Sequence, residues 1–187
     1  MNTRTSRLFL ACILASSLLS SLALADPAED TALGEAAFNR EDLTVAMEYF
    51  TKAAKQNYAP AQVRLGEILD ASEFNEEAAG WYRKAAEQGN AAGEYYLGHM
   101  YAVGEGVERS DEKALYWFER AAEQNDLLAL KTLAQAYKKS ELGLAVDLDQ
   151  AKSLEDRVNI LEAKARKAAK KAAAVKAAEK AKQGAVK

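Results

Sequence analysis

The segment WYRKAAEQG at residues 81–89 occurs in two further versions, YFTKAAKQN at 49–57 and WFERAAEQN at 117–125. The second aromatic residue of the segment recurs after 32 residues, from Phe50 to Tyr82, and then after 36, at Phe118. Periods of this length with helical patterning and no strand signal predict a stack of helical hairpins. Stacks of this kind bind other proteins or peptides far more often than they catalyse reactions.

A second block follows each copy at a fixed distance, and it supplies the other helix of the hairpin. The block contains Leu65-Gly66, Leu97-Gly98 and Leu133-Ala134 in turn. In each repeat we name the first helix A and the second helix B. The predicted fold is all-α, an α/α solenoid of about three to four helix-turn-helix repeats. The expected helices are Thr31–Asn39, Asp42–Gln56, Pro60–Ala71, Asn75–Gln88, Ala91–Val103 and Asp111–Gln124.

The recurring residues have packing reasons. Gly66 and Gly98 reduce helix stability by about 1 kcal/mol each, which is tolerated where a bulky partner fills the space. The aromatic residues that follow on helix B are the expected partners: Trp81, Tyr82, Trp117 and Phe118.

The last copy is degenerate and is predicted to be a capping helix. Asp149-Gln150-Ala151 replaces Glu112-Lys113-Ala114, and no aromatic pair follows. A solenoid needs such a cap at its end. From Glu162 the chain is almost purely Ala and Lys, which predicts a helical or disordered tail. We therefore divide the chain into residues 1–25, 26–161 and 162–187.

Residues 1–25 have the pattern of a secretory signal peptide. Arg4 and Arg7 precede the apolar stretch Leu8–Leu24, and Ala23-Leu24-Ala25 is a small-x-small cleavage site. An uncleaved anchor, or a lipoprotein acylated at Cys12, is an alternative. Cys12 is the only cysteine, so the mature chain would have no disulfide, thiolate nucleophile or cysteine metal ligand.

Charge divides the chain into an acidic body and a basic tail. Residues 26–161 carry 14 basic and 26 acidic side chains, a net charge of −12. Residues 162–187 carry nine basic and two acidic side chains, a net charge of +7. The acidic body can simply be a solvated surface. The tail can be solvated, can contact an anionic membrane or cell-wall polymer, or can bind nucleic acid, which export and the absence of interleaved aromatic residues disfavour.

The third repeat resembles the Sel-one-like (Sel1-like) repeat family, a branch of the tetratricopeptide superfamily. The resemblance rests on Leu97-Gly98-x-x-Tyr101-x-x-Gly104-x-Gly106-Val107 and Asp111-x-Lys113-Ala114-x-x-Trp117-Phe118-x-x-Ala121-Ala122-x-Gln124. It covers about 33–154 and, with the signal, implies a secreted bacterial member that acts as a protein-binding scaffold. Some cysteine-rich members are linked to β-lactam binding or hydrolysis. The cysteine-free mature chain departs from that subgroup.

No catalytic or metal-binding residue is predicted, and no cofactor is expected. Gly104-x-Gly106 lacks the strand, third glycine and Lys-Ser/Thr of a phosphate loop, so we interpret it as a left-handed helix stop. His99 is the only histidine and has no carboxylate ligands at suitable spacing.

The resemblance to tetratricopeptide proteins implies that helix A lines a concave groove. At three aligned helix A positions the copies differ, which suits a groove for a protein or peptide ligand, although a merely solvated surface is the alternative. The candidate partner-binding residues are Val63, Glu67, Asp70, Tyr95, His99, Lys131, Gln135 and Lys138.

The predicted function is an exported, periplasmic scaffold that binds a protein or peptide in the cell envelope through the helix A face. An envelope-surface protein tethered by its basic tail is the second hypothesis, and a β-lactam-binding or hydrolysing enzyme is the distant third. We expect no nucleic acid partner and no transmembrane segment after signal cleavage.

Overall fold

The computed structural model describes residues 26–184, with side chains to residue 179. The predicted signal peptide lies outside the described residues. Within them the regular structure consists of eight helices: α1 (Pro27–Phe38), α2 (Leu43–Lys55), α3 (Ala59–Ala71), α4 (Asn75–Glu87), α5 (Ala91–Val103), α6 (Asp111–Glu123), α7 (Leu127–Lys139) and α8 (Leu148–Gly184).

Each helix packs against the next one along the chain, and short loops turn the pairs into hairpins. The A helices α1 and α3, and then α3 and α5, also contact each other directly. The helices therefore stack as a solenoid, with α8 in the helix B position of the last repeat. The predicted all-α solenoid with a capping helix is confirmed.

Local sequence signals explain where these helices begin and end. The side chains of Asn90, Ser110 and Asp126 accept hydrogen bonds from the first turns of α5, α6 and α7. Helices α2, α4 and α6 are each followed by a residue with positive φ, Asn57, Gly89 and Asn125. Asn and Gly adopt this conformation most readily, which accounts for the last residue of the repeated segment.

Each small residue of helix A faces one aromatic ring of helix B. A Cβ built on Gly66 would lie 2.5 Å from Tyr82 Cε1, and one built on Gly98 would lie 2.9 Å from Phe118 Cδ1. The first repeat has the same arrangement, with a Gly34 Cβ 2.6 Å from Phe50 Cε1. Because all three rings are buried, these glycines allow the two helices of a hairpin to pack closely.

The prediction that Trp81 and Trp117 also fill these spaces was wrong. Both indoles are half-buried, because adjacent residues on a helix point about 100° apart and only the second of each pair faces helix A. The Lys84 ammonium lies 3.8 Å from the Trp81 ring centroid, and the Arg120 guanidinium lies 5.2 Å from that of Trp117. The indoles pack at the edge of the buried core, and each has a cation beside its ring.

The Gly104-x-Gly106 loop is a left-handed helix stop, as predicted. Gly104 ends α5 with φ of 80°, and Gly106 has φ of 65°. A Cβ on Gly106 would overlap the carbonyl group of Asn75 at the start of α4. The loop therefore packs against the preceding repeat.

Candidate functional site

A polar seam runs between neighbouring repeats on the helix A side of the solenoid. The small residue of each helix A, glycine or alanine, sets the register of these contacts. Each junction pairs the residue that follows the small residue of one helix A with the residue two places before the small residue of the next helix A. The three junctions pair Glu35 with Arg64, Glu67 with Tyr96, and His99 with Thr132.

At the first junction, one guanidinium serves two carboxylates. Arg64 Nε lies 2.6 Å from Glu35 Oε1, and Arg64 also pairs with Glu67 on its own helix. The guanidinium lies 4.8 Å from the ring centroid of Phe38. The carboxylates hold the edge of the Arg64 guanidinium and the Phe38 ring packs on its face, so Arg64 joins α1 to α3.

At the second junction, a tyrosine replaces the arginine. The Tyr96 hydroxyl donates a hydrogen bond to Glu67 Oε1 at 2.6 Å, and its ring stacks on Tyr82 with centroids 4.9 Å apart and planes at 15°. Burial and then the carboxylate of Glu67 raise the pKa of Tyr96. The hydroxyl therefore stays protonated and fixes the position of Glu67.

The third junction is open. Thr132 is too short to repeat the contact of Arg64 or Tyr96, and His99 is exposed. A cleft of about 530 Å³ lies here, and its lining includes His99, Ala102, Phe118, Thr132 and Ala136. At this end of the helix A side, the cleft is therefore not closed by a polar contact between the two helices.

Asp70 is a half-buried carboxylate in the same region. Burial and the nearby Glu105 raise the pKa of Asp70, and His99 acts in the opposite direction. Within residues 26–179 no lysine or arginine forms an ion pair with Asp70 or Glu105. The Tyr82 hydroxyl is buried without a hydrogen-bond partner, and Asp70 and Glu67 contribute to raising its pKa. This corner of the groove therefore holds uncompensated negative charge.

Four of the eight predicted groove residues gather on α3 and α5. Glu67 and Asp70 are half-buried on α3, while His99 is exposed on α5. The Tyr95 ring packs against Phe118, with centroids 5.6 Å apart. These four residues and Glu105 surround the uncompensated corner.

The other four predicted residues, Val63 on α3 and three on α7, lie outside this corner. Val63 is only 5% exposed, so its assignment to an accessible groove was wrong, because this side of α3 faces the core. Lys131 Nζ pairs with Glu162 Oε1 at 2.9 Å, and Lys138 pairs with Glu155. Gln135 lines the space between α7 and α8. The three α7 residues therefore face the capping helix.

Buried polar contacts within each hairpin form a feature that sequence reasoning missed. Four residues before each helix A glycine stand Asp30, Gln62 and Glu94, all at most 2% exposed. Their partners come from helix B: Lys52 Nζ at 2.8 Å, Gln88 Nε2 at 2.7 Å and Arg120 Nη2 at 2.8 Å, respectively. In the capping repeat the same position is Leu130. Only an alignment of the repeats around the glycine reveals the series.

Helix α8 has an anchored part and a projecting part. Arg157 donates to the carbonyl oxygen of Ala122 at 2.7 Å and to Asn125 Oδ1 at 3.0 Å, which holds α8 against the end of α6. Ala151 and Val158 are buried. From residue 163 to residue 179 every side chain is exposed. Within residues 26–184, no helix is both long and apolar enough to cross a bilayer.

The surface carries charged, polar and aromatic side chains. No group of three or more His, Cys, Asp or Glu side chains in the described part of the chain is arranged to hold a metal ion. The groove offers carboxylates, an imidazole and aromatic edges, which suit a cationic or hydrogen-bonding ligand.

Comparison with known proteins identifies the repeats. Residues 39–58, 75–90 and 91–126 match the Sel1 repeat family. A Sel1 repeat protein of known structure from Oxalobacter formigenes is 27% identical, with a TM-score of 0.67 over 73% of this chain and 59% of that one.

Two relatives are much longer proteins. The chitin synthase regulator SKT5 of Malassezia restricta is 34% identical over 61% of this chain and 8% of its own length. The ERAD-associated E3 ubiquitin-protein ligase component HRD3 of Candida glabrata is 31% identical over 52% of this chain and 12% of its own length. This chain thus spans about a tenth of these relatives. Three segments of the chain thus match Sel1 repeats, and its described helices share the fold of a solved Sel1 repeat protein.

Proposed function

We propose that this protein is an exported scaffold that binds a protein partner through the helix A face of α3 and α5 and positions or inhibits that partner. The observation that carries the proposal is the groove around His99, where the neighbouring carboxylates of Asp70 and Glu105 have no basic partner and no polar contact closes the third junction. A side chain of the partner can supply the missing contacts.

Two further observations support this proposal. The relatives SKT5 and HRD3 are named as a regulator of chitin synthase and as a component of a ubiquitin ligase, so both are named for the enzymes with which they are associated. Export is inferred from the signal-like pattern of residues 1–25, and a periplasmic location follows if the source is a bacterium with two membranes.

Affinity capture from cell-envelope extract tests the groove. We expect the D70A/H99A variant to lose the partner that the unchanged protein captures, because these two side chains are accessible and form none of the structural ion pairs. The matched control is E87A/E119A, which changes two exposed residues of helix B. Capture that survives D70A/H99A, or that is lost equally in the control, would contradict the assignment.

A second candidate function is tethering to an anionic envelope surface. It is favoured by one specific observation, the projecting part of α8, whose side chains are exposed and mostly Lys or Ala. Such a helix binds anionic surfaces through charge, and salt weakens that attraction.

Co-sedimentation with vesicles of phosphatidylglycerol and phosphatidylcholine tests the tether. We expect binding at low ionic strength that is lost in the K164Q/K167Q/K170Q/K171Q variant and in pure phosphatidylcholine vesicles. Binding that ignores both salt and these substitutions would rule out the tether.

We expect no β-lactam hydrolysis, since no candidate nucleophile with an adjacent base was identified in the sequence. Hydrolysis of a chromogenic β-lactam by the purified protein would revive the enzymatic hypothesis.

A further inference from the structure

We propose that the projecting basic part of α8 in one copy docks on the acidic helix A side of a second copy, so that the protein associates head to tail. We call residues 163–184 the basic rod, and the carboxylates of Glu35, Glu67, Asp70 and Glu105 the acidic face. The inference rests on the proposed function, because the second copy would occupy the same groove. It specifies the occupant as a cationic helix.

The basic rod can recognise a partner only through charge. Glu162 is the last residue of α8 with an ion pair to another helix among the described side chains. Successive helical residues are rotated by 100°, so the cations of the rod point in all directions around its axis. Up to residue 179, where the described side chains end, these cations are Lys164, Arg166, Lys167, Lys170, Lys171 and Lys176. Val175 is the one large apolar side chain of the rod before residue 180, so the rod has no apolar face.

The rod cannot reach the acidic face of its own chain while α8 remains intact. Helix α8 runs without interruption from Leu148 to Gly184. At 1.5 Å per residue the rod extends about 33 Å beyond the anchored part. A return to the solenoid would need a break in this helix, and Ala and Lys are among the residues that favour helix most. The opposite charge must therefore come from another molecule.

The acidic face has the matching charge. Arg64 is the only basic side chain that pairs with any of its four carboxylates in the described part of the chain. Asp70 and Glu105 have no such partner there. Lysine ammonium groups carry three donors each and would pair with these two carboxylates.

The dimensions and the overall charges agree with this pairing. Packed helices lie about 8–10 Å apart, so the row of α1, α3 and α5 that carries the acidic face is about 16–20 Å across, and the rod is long enough to span it. Residues 26–161 carry −12 and residues 162–187 carry +7. Because rod and face are different surfaces, the contact is heterologous and can extend into open chains.

Sedimentation velocity of the purified protein tests the proposal. At about 50 mM salt we expect a weight-average mass that rises with protein concentration to at least twice that of one chain, and at about 500 mM salt the mass of one chain. The rod variant K164Q/K167Q/K170Q/K171Q and the face variant D70N/E105Q should both stay at the mass of one chain. The control E87Q/E119Q should behave like the unchanged protein.

A mixture of the two defective variants gives the sharpest result. The rod variant keeps an intact face and the face variant keeps an intact rod, so an equimolar mixture should form a complex of two chains. A complex in the mixture supports the head-to-tail contact, whereas its absence overturns it.

Three other outcomes would overturn the inference. The unchanged protein could be monomeric at low salt, the rod variant could still associate, or the control E87Q/E119Q could lose association as completely as the rod and face variants. Vesicle binding by the rod without self-association would assign the rod to an anionic surface instead. The proposed function would still stand if the rod variant captured the envelope partner and D70A/H99A did not.

Discussion

Gly66 and Gly80 lie in neighbouring helices in opposite surroundings. A Cβ on Gly66 would lie 2.5 Å from Tyr82 Cε1, whereas nothing lies within 4 Å of one on Gly80. Glycine lowers helix stability by about 1 kcal/mol relative to alanine at either position. At Gly66 this loss is offset by the buried tyrosine ring, but at Gly80 no contact compensates for it.

Alanine substitutions should therefore change stability in opposite directions. We expect G66A to lower the free energy of unfolding by about 1–3 kcal/mol, because the Tyr82 ring must move within a packed core. The matched variant G80A should raise it by up to about 1 kcal/mol. Urea unfolding followed by circular dichroism measures both, and a stabilised G66A would show that the ring relaxes freely.

The buried carboxylate of Glu94 makes stability depend on pH. Burial raises the pKa of Glu94, although Arg120 and Gln124 partly oppose the shift. A raised folded-state pKa favours the protonated form in the folded protein. The contribution of Glu94 to stability is therefore greatest below its unfolded pKa, about 4.3, and declines as pH rises through the folded value.

The neutral variant E94Q isolates this effect. We expect the unfolding free energy of the unchanged protein minus that of E94Q to decrease between pH 4 and pH 7. Parallel urea titrations at several pH values provide the measurement. A difference that increases with pH would mean that the ion pair with Arg120 outweighs the desolvation of the carboxylate.

At the scale of helices, the signals at the helix ends decide how well the sequence predicts the structure. The bounds of α5 were predicted without error, because Asn90 caps its start and Gly104 ends it. Helix α1 begins at Pro27, four residues before the predicted Thr31, since the cap at Asp26 lies at the expected signal boundary. Periodicity located each helix, and capping residues determined its ends.

Interactions between helices were predicted less completely. The sequence identified Gly66 and Gly98 as contact positions, but it could not show which aromatic residue of each pair faces them, since that depends on the rotation of helix B. It also placed Val63 in the groove, because the rotation of α3 about its own axis is likewise not visible in the sequence. The uncompensated charge at Asp70 depends on how α3, α5 and the loop after α5 meet, and no local pattern encodes this.

Arg157 should control how firmly α8 is held. R157A removes hydrogen bonds to the carbonyl oxygen of Ala122 and to Asn125, and we expect a loss of about 1–3 kcal/mol. Amide hydrogen exchange in residues 148–161 should become faster. The control K152A changes an exposed side chain of the same helix. Equal exchange in the two variants would show that apolar contacts alone anchor α8.

At the scale of the whole molecule, the described residues form two buried clusters that meet at α5. One extends from α1 to α5 and contains Leu65, and the other joins α5 to α8 and contains Leu130. Tyr101 packs against both. In a solenoid each repeat contacts only its neighbours, so stability is close to a sum of repeat and interface terms.

Damage to one end should therefore stay near that end. Leu130 is fully buried and Leu65 is 3% exposed, so L130A and L65A should each cost about 2–5 kcal/mol. Hydrogen exchange should accelerate most in α6–α8 for L130A and most in α1–α4 for L65A, because each repeat of a solenoid contacts only its neighbours. Exchange that accelerated uniformly along the chain in both variants would contradict this expectation, because it would mean that the solenoid unfolds as one cooperative unit. Tyr101 and its neighbours on α5 would then couple the two clusters more strongly than nearest-neighbour packing allows.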